Sequence, residues 1–292
     1  MKNLFVTLAL LVGIISHGQV KNAVPSGEAK SLLWKISGNG LAKPSYLFGT
    51  MHITCDASLD SATRDALENT KQLYLELDMD DPEMQATMMG GMMMKNGNTM
   101  QSMVSEADFK LLDVYVQEKI GLSAMMINTM KPFMISAMLV PSLLDCPMQT
   151  VEGELIKVSA AQNEEVFGLE TVEEQLAVFD EVPYQDQMDD LMKSVKDKFT
   201  ADKTEMVKMM EVYKTKDLDA MLTMVKESDS KMTSGFQDVL LNNRNKNWIP
   251  KIEAVAKQEA TFFGVGAAHL PGKEGVIMLL RNKGYKVEAV FN

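Results

Sequence analysis

The chain is poor in the residues that most catalytic chemistry uses: its 292 residues hold three histidines, two cysteines and two tryptophans. Positive charge is also short, with 29 Lys and Arg against 40 Asp and Glu, for a formal net charge of −11. No cluster of Lys and Arg interrupts that acidity, so the electrostatic footprint of a nucleic-acid-binding protein is missing and no nucleic acid is expected as a partner. There is no Gly-x-Ser-x-Gly elbow, no phosphate-binding loop and no His-Glu-x-x-His pair, which sets aside three common hydrolase and nucleotide-binding patterns. The apolar run Leu4 to Ile15 is too short for a comfortable membrane span.

That run does have another use. Lys2 precedes it, and Ser16-His17-Gly18 supplies small residues at the −3 and −1 positions before Gln19. These are the parts of a secretory signal peptide over residues 1–18, the alternative being an uncleaved anchor. No cysteine stands at the cleavage point, so a lipid anchor is not expected. Cleavage would leave a protein of the periplasm or exterior, without a stable membrane span, and with two histidines, His52 and His269. In such a compartment the pair Cys55 and Cys146 favours a disulfide across a long loop. Two free thiols remain an alternative, as does a metal-ligand role for Cys55, three residues after His52. Hydrophobic residues at 46% and charged residues at 24% fit a soluble globular protein, here taken as one domain over 19–292.

Short apolar runs read as buried strands at 45–48, 72–75, 165–167, 260–263 and 286–291. Helical spacing fills the stretches between them, notably 105–119, 151–163 and 185–198. The alternation predicts an α/β fold, a central mixed sheet flanked by helices. Residues from about 186 to 232 are charged helix formers with no strand signal, as a helical insertion would be. Eight methionines crowd into residues 84–103 together with Gly90, Gly91 and Gly97. They read as an adaptable apolar loop over a cleft, with soft Cu(I) ligation as the rival.

Four groups able to bind metal or move protons follow strand ends. His52 lies after Phe48, Glu76 after Leu75, Glu170 two residues beyond Gly168, and His269 after Phe263 and a Gly-x-Gly. In an open sheet with parallel strands, ligands bind at that edge. Both histidines follow a Gly-x-x-His spacing, where glycine lets the backbone turn sharply and approach a ligand closely. Imidazole suits Zn, Mn, Fe or Co, and a carboxylate such as Glu76 can complete the site or act as base. Glu76 lies between Leu75 and Leu77, so it needs a metal or an arginine as partner unless it faces outward. Glu170 precedes Thr171-Val172-Glu173-Glu174, a capping-box pattern, and either faces the site or stabilises the helix dipole. Arg244 either pairs with a site carboxylate or is a solvated surface residue.

Taken together, Leu33-Trp34-Lys35-Ile36, the run Tyr46 to His52, Leu73 to Asp78, Phe167 to Gln175, Arg244-Asn245, Gly264 to Gly272 and Gly284 to Val287 resemble the TraB/PrgY/GumN family and, through it, the Tiki-type metalloproteases. The resemblance implies an α/β core of the erythromycin-esterase or ChaN-like type. It also implies a divalent ion such as Mn or Co on His52 and His269, with Glu76 as ligand or base. The function expected on this basis is an exported metal-dependent hydrolase acting on a peptide or protein substrate, with Mn, Co or Zn as cofactor. Glu76, Glu170 and Arg244 are then the expected catalytic residues. Rival expectations are a non-catalytic protein that binds metal, haem or peptide, and a Cu(I) handler using the methionines.

Overall fold

The computed structural model describes residues 30–291; the expected signal peptide at 1–18 lies outside them. Six strands form one mixed sheet: β1 (Leu33–Ser37), β2 (Ser45–Thr50), β3 (Leu73–Leu75), β4 (Val166–Gly168), β5 (Phe262–Gly266) and β6 (Lys286–Ala289), in the order β4-β3-β5-β2-β1-β6. The four strands β4, β3, β5 and β2 are mutually parallel. Strand β1 runs against both of its neighbours. The sheet is therefore mixed through β1 alone, and the four strand ends that carry the candidate residues share one edge.

Around the sheet stand α1 (Ser61–Glu68), α2 (Met84–Gly91), α3 (Met100–Met103), α4 (Glu106–Ile120), α5 (Pro132–Leu139), α6 (Val151–Ala161) and α7 (Val172–Asp180). They are followed by α8 (Tyr184–Lys196), α9 (Thr200–Lys214), α10 (Leu218–Glu227), α11 (Lys231–Gly235), α12 (Asn243–Gln258) and α13 (Val276–Asn282). Their ends carry the expected chemistry. Thr171 and Glu174 close a reciprocal capping box at α7, satisfying two backbone donors that the helix cannot pair itself. Among the described residues, no helix is long and apolar enough to cross a membrane.

Two hydrophobic cores result. The larger one covers the sheet and includes Trp34, Leu47, Leu75, Trp248, Phe262 and Phe263. The second packs Met94, Met100, Leu112 and Ile135 against Met188, Leu191 and Phe199, among the helices and their connections. The stretch 186–232 thus divides its loyalties: α8 belongs to the helical core, while Leu218 and Met221 of α10 join the sheet core. Nor is the methionine-rich stretch a plain loop. It forms α2 and α3, pairs Met93 with Met130, and buries Met94 and Met100.

Several boundaries differ from the sequence reading. Strand β5 runs to Gly266 instead of stopping at Phe263, because parallel pairing with β2 continues as far as Thr50 opposite Gly266. Strand β1 was hidden within the motif beginning at Leu33, and β6 ends at Ala289, where its partner β1 reaches Trp34. The cysteines are joined: Cys55 and Cys146, 91 residues apart, form a disulfide. It fastens the segment just past His52 to the approach to α6, beside the pairing of Thr54 with Gln149. Cys55 is therefore neither a free thiol nor a metal ligand.

Candidate metal and proton-transfer site

Each parallel strand delivers one residue to the shared edge, and the sheet order brings Glu170, Glu76, His269 and His52 side by side. Glu76 is at the centre. Its Oε1 accepts a 2.8 Å hydrogen bond from the Gly266 N–H and lies 3.7 Å from His269 Nε2 and 3.9 Å from His52 Nε2. Its Oε2 accepts from Arg244 Nη2 at 2.6 Å and from Gln175 Nε2 at 3.3 Å. The carboxylate is thus divided, one oxygen toward the histidines and the other held by a cation.

The far nitrogen of each imidazole is anchored. His269 Nδ1 stands 2.6 Å from Asn245 Oδ1. An amide oxygen only accepts, so Nδ1 carries the proton and Nε2 presents its lone pair to the centre. His52 Nδ1 lies 2.7 Å from Glu152 Oε1 as an ion pair. Imidazoles whose second nitrogen is held by a carboxylate or carbonyl are the usual arrangement around a metal, because the partner orients the ring and raises its basicity.

The two motif glycines serve by lacking volume. Neither has a positive φ, so the expected sharp turn is not what they provide. A Cβ on Gly266 would sit 3.2 Å from Glu76 Oε1 and 3.5 Å from His52 Nε2, in the middle of the donor set. One on Gly49 would meet Leu270 and Ala267 at 3.0–3.1 Å. The Gly49 carbonyl in turn accepts a 2.8 Å hydrogen bond from the Tyr213 hydroxyl of α9, which steadies the turn leading to His52.

Arg244 is no surface residue. It lies near the start of α12, directly after a π-helical turn at Asp238–Asn242, a distortion frequent at functional sites. Its guanidinium stacks over Trp248, 4.8 Å from the ring centre. Nε donates to both oxygens of Glu170, and Nη2 donates to Glu170 as well as to Glu76. Nη1 donates to the Leu240 carbonyl and faces His269 Nε2 at 3.2 Å. All five guanidinium donors are therefore engaged. Glu170 also accepts from Trp248 Nε1 and Gln175, so its two oxygens are taken up in holding Arg244.

These contacts set the charge states. Burial would raise the Glu76 carboxyl, but His269, Arg244, His52 and the Gly266 N–H together hold it well below the usual carboxylate range. Burial lowers His269 to about 3, and Arg244 and His52 push in the same direction against Glu76. Since His269 is then neutral at ordinary pH, Arg244 is the closest counter-charge of Glu76, with His52 beyond it. Burial would lower His52 also, yet Glu152 and Glu76 raise it to about 9. Solvent reaches 62% of the His52 side chain, so screening tempers that attraction.

The fit to a divalent ion is good in chemistry. Two imidazole nitrogens and a carboxylate are a common donor set for zinc, manganese and cobalt, and His52, Glu76 and His269 present it. Among the described residues no group of three or more His, Cys, Asp and Glu side chains is gathered closely enough to cage an ion as it stands, and Arg244 Nη1 faces the His269 lone pair at 3.2 Å. All five residues expected from sequence meet here. Glu152, Gln175, Asn245 and Trp248 complete the site without having been assigned a role from sequence. For Glu152 a signal existed: Val151, Glu152, Leu155 and Ser159 form the buried stripe of α6, an unusual place for an acid.

The profile of the TraB/PrgY/gumN family matches residues 32–289, nearly the whole described chain. No curated protein and no solved structure matches the sequence.

Proposed function

The chain belongs to the TraB/PrgY/gumN family, and from that premise we propose that it is an exported, metal-dependent hydrolase that cleaves peptide bonds. One observation carries the reading: Glu76 Oε1 lies between the Nε2 atoms of two histidines whose Nδ1 atoms are anchored by Glu152 and Asn245. His52, His269 and Glu76 would hold the ion, which when bound polarises a substrate carbonyl and lowers the pKa of a water. The Cys55–Cys146 bond is compatible with an oxidising destination.

The protein's own groups do the rest. Glu76 stays ionised because Arg244 pairs with it, which suits a ligand better than a strong base. Its Oε1, the oxygen not on Arg244, faces both imidazoles and is the oxygen that would join them on the ion. Arg244 has one donor that is not on a carboxylate or carbonyl, the Nη1–H facing His269 Nε2. That donor would exchange His269 Nε2 for a substrate oxygen on which negative charge develops. Glu170 acts by positioning Arg244. Gln175, shared between Glu76 and Glu170, keeps the two carboxylates in register.

The test is a titration of chelator-stripped protein with Mn, Co and Zn, followed by exposure to a peptide library. We expect one ion per chain, held by wild type and lost in His52→Ala and His269→Ala, with turnover lost in the same variants. Cleavage undiminished in those variants, or no cleavage by loaded wild type, overturns the peptidase reading.

A further inference from the structure

A cleft of about 580 Å³ opens beside His52 and runs away from the sheet between α5, α8, α9 and the α10–α11 turn. His52 is the only member of the donor set that lines it. Its apolar lining includes Phe133, Val140, Met206, Met209, Val225 and Met232, all half-buried, so each keeps a face open to the cleft. Its charged lining is lopsided. Asp190, Asp197, Asp202, Glu205 and Asp229 stand against Lys193 and the imidazole of His52 at the cleft's mouth.

Part of that charge has a local structural use. Asp190 caps α11 by accepting from Ser230 and the Lys231 and Met232 N–H groups, and Asp202 accepts from Ser194. Lys193 lies 3.8 Å from Asp229. Glu205 differs: it is exposed on α9 and its side chain makes no hydrogen bond or ion pair among the described residues. Hydrogen-bonded carboxylates keep their charge, so the excess still biases the local potential, and low-dielectric walls concentrate such a field.

We propose that this cleft is the groove for one stretch of an extended peptide, presenting an apolar side chain next to a lysine or arginine. The apolar side chain lies on the methionines and Phe133, whose adaptable surface admits several shapes, and the cation faces Glu205 and Asp202. The inference rests on the peptidase reading of the neighbouring site. It specifies what that reading leaves open: the substrate's charge and the side from which the chain reaches His52. Because α9 carries Glu205 in the groove and Tyr213 on the Gly49 carbonyl, one helix touches both the groove and the turn leading to His52.

Binding can be measured apart from cleavage. Two labelled peptides differing only in a lysine or a glutamate beside a central leucine are titrated by fluorescence anisotropy against the full chain without metal. The lysine peptide is expected to bind several-fold more tightly, with the difference shrinking as salt is raised. Glu205→Lys should lessen or reverse the preference, whereas Glu205→Gln should only weaken it. Glu68→Lys, at an exposed acid of α1 outside the cleft lining, should keep it. Equal binding of the two peptides, or a preference unmoved by Glu205→Lys, overturns the proposal. A lysine peptide bound with this preference but left intact by metal-loaded wild type retains the groove and refutes the hydrolase. Cleavage without any charge preference does the reverse.

Discussion

The two histidines occupy opposite electrostatic settings although their motifs match. His269 is buried against Trp248, 4.5 Å between ring centres, and is held neutral; His52 is open to solvent and faces Glu152. Their linkage to folding accordingly has opposite signs. His269 falls from 6.5 to about 3 on folding, so its contribution is full above 6.5 and is lost as pH falls toward 3. His52 rises from 6.5 to about 9, so its contribution is full below 6.5 and is lost as pH climbs toward 9. Denaturant midpoints of the metal-free protein measured across pH should therefore show losses on both sides, the alkaline one shallower because His52 is solvated. Glu152→Gln removes a charge that raises His52 and should flatten the alkaline limb alone. An unchanged alkaline limb in that variant would show that Glu152 does not set the state of His52. That the two histidines meet could be foreseen because they are so few and share a spacing. That of Glu152 was hard to read because Glu154, two residues on, is an acid of the same helix that merely pairs with Lys157 at the surface.

Strands and helix starts were readable where their chemistry is local. The Thr171 capping box and the glycine-punctuated strand ends announce themselves within a few residues. The π-helical turn before α12 does not, since nothing in Asp238–Asn242 forces a wider turn; the contacts of Arg244 with Glu76, Glu170 and Leu240 arise in the tertiary structure. Strand β1 likewise takes its identity from β2 and β6 on either side. The disulfide is the covalent counterpart of these long-range contacts, tying the His52 segment to the approach to α6, the helix that carries Glu152. Closing a loop of that size is worth about 2–5 kcal/mol through restriction of the unfolded chain, a model-dependent figure. The double variant Cys55→Ser/Cys146→Ser should lose stability in that range by urea denaturation. It should also bind the proposed ion less tightly, as the partner of His52 Nδ1 shifts. Stability equal to wild type would mean that the bond constrains little.

Seen whole, the protein has a sheet core that holds the chemistry and a helical core that holds the far wall of the cleft. That division was only partly visible beforehand. The helical region was evident from composition, but not its reliance on residues from 94 to 143, which lie far from 188–199 in sequence and meet them only in the folded chain. The methionines illustrate why. Met100 is fully buried and Met94 nearly so, whereas Met89 and Met93 are exposed, and a run of one residue type offers no contrast from which to tell them apart. Met100→Ala should cost about 2–5 kcal/mol, as other buried truncations do. The measurement is a shift in thermal midpoint. The loss should reach peptide binding in the cleft before it reaches metal binding at His269, and a variant as stable as wild type would deny Met100 its place in the core.

The alignment of Thr50 with Gly266 in neighbouring strands has a temporal side as well. Strand β2 is among the first segments described and its partner β5 among the last, so their pairing requires closure of most of the chain, the kind of contact that slows folding. Glu76 has no Gly266 N–H, His52 has no facing imidazole and the edge has no floor until β5 docks. A chain still being made therefore carries the ingredients of the centre without the centre. Whatever the site does, it begins only once the whole chain has arrived.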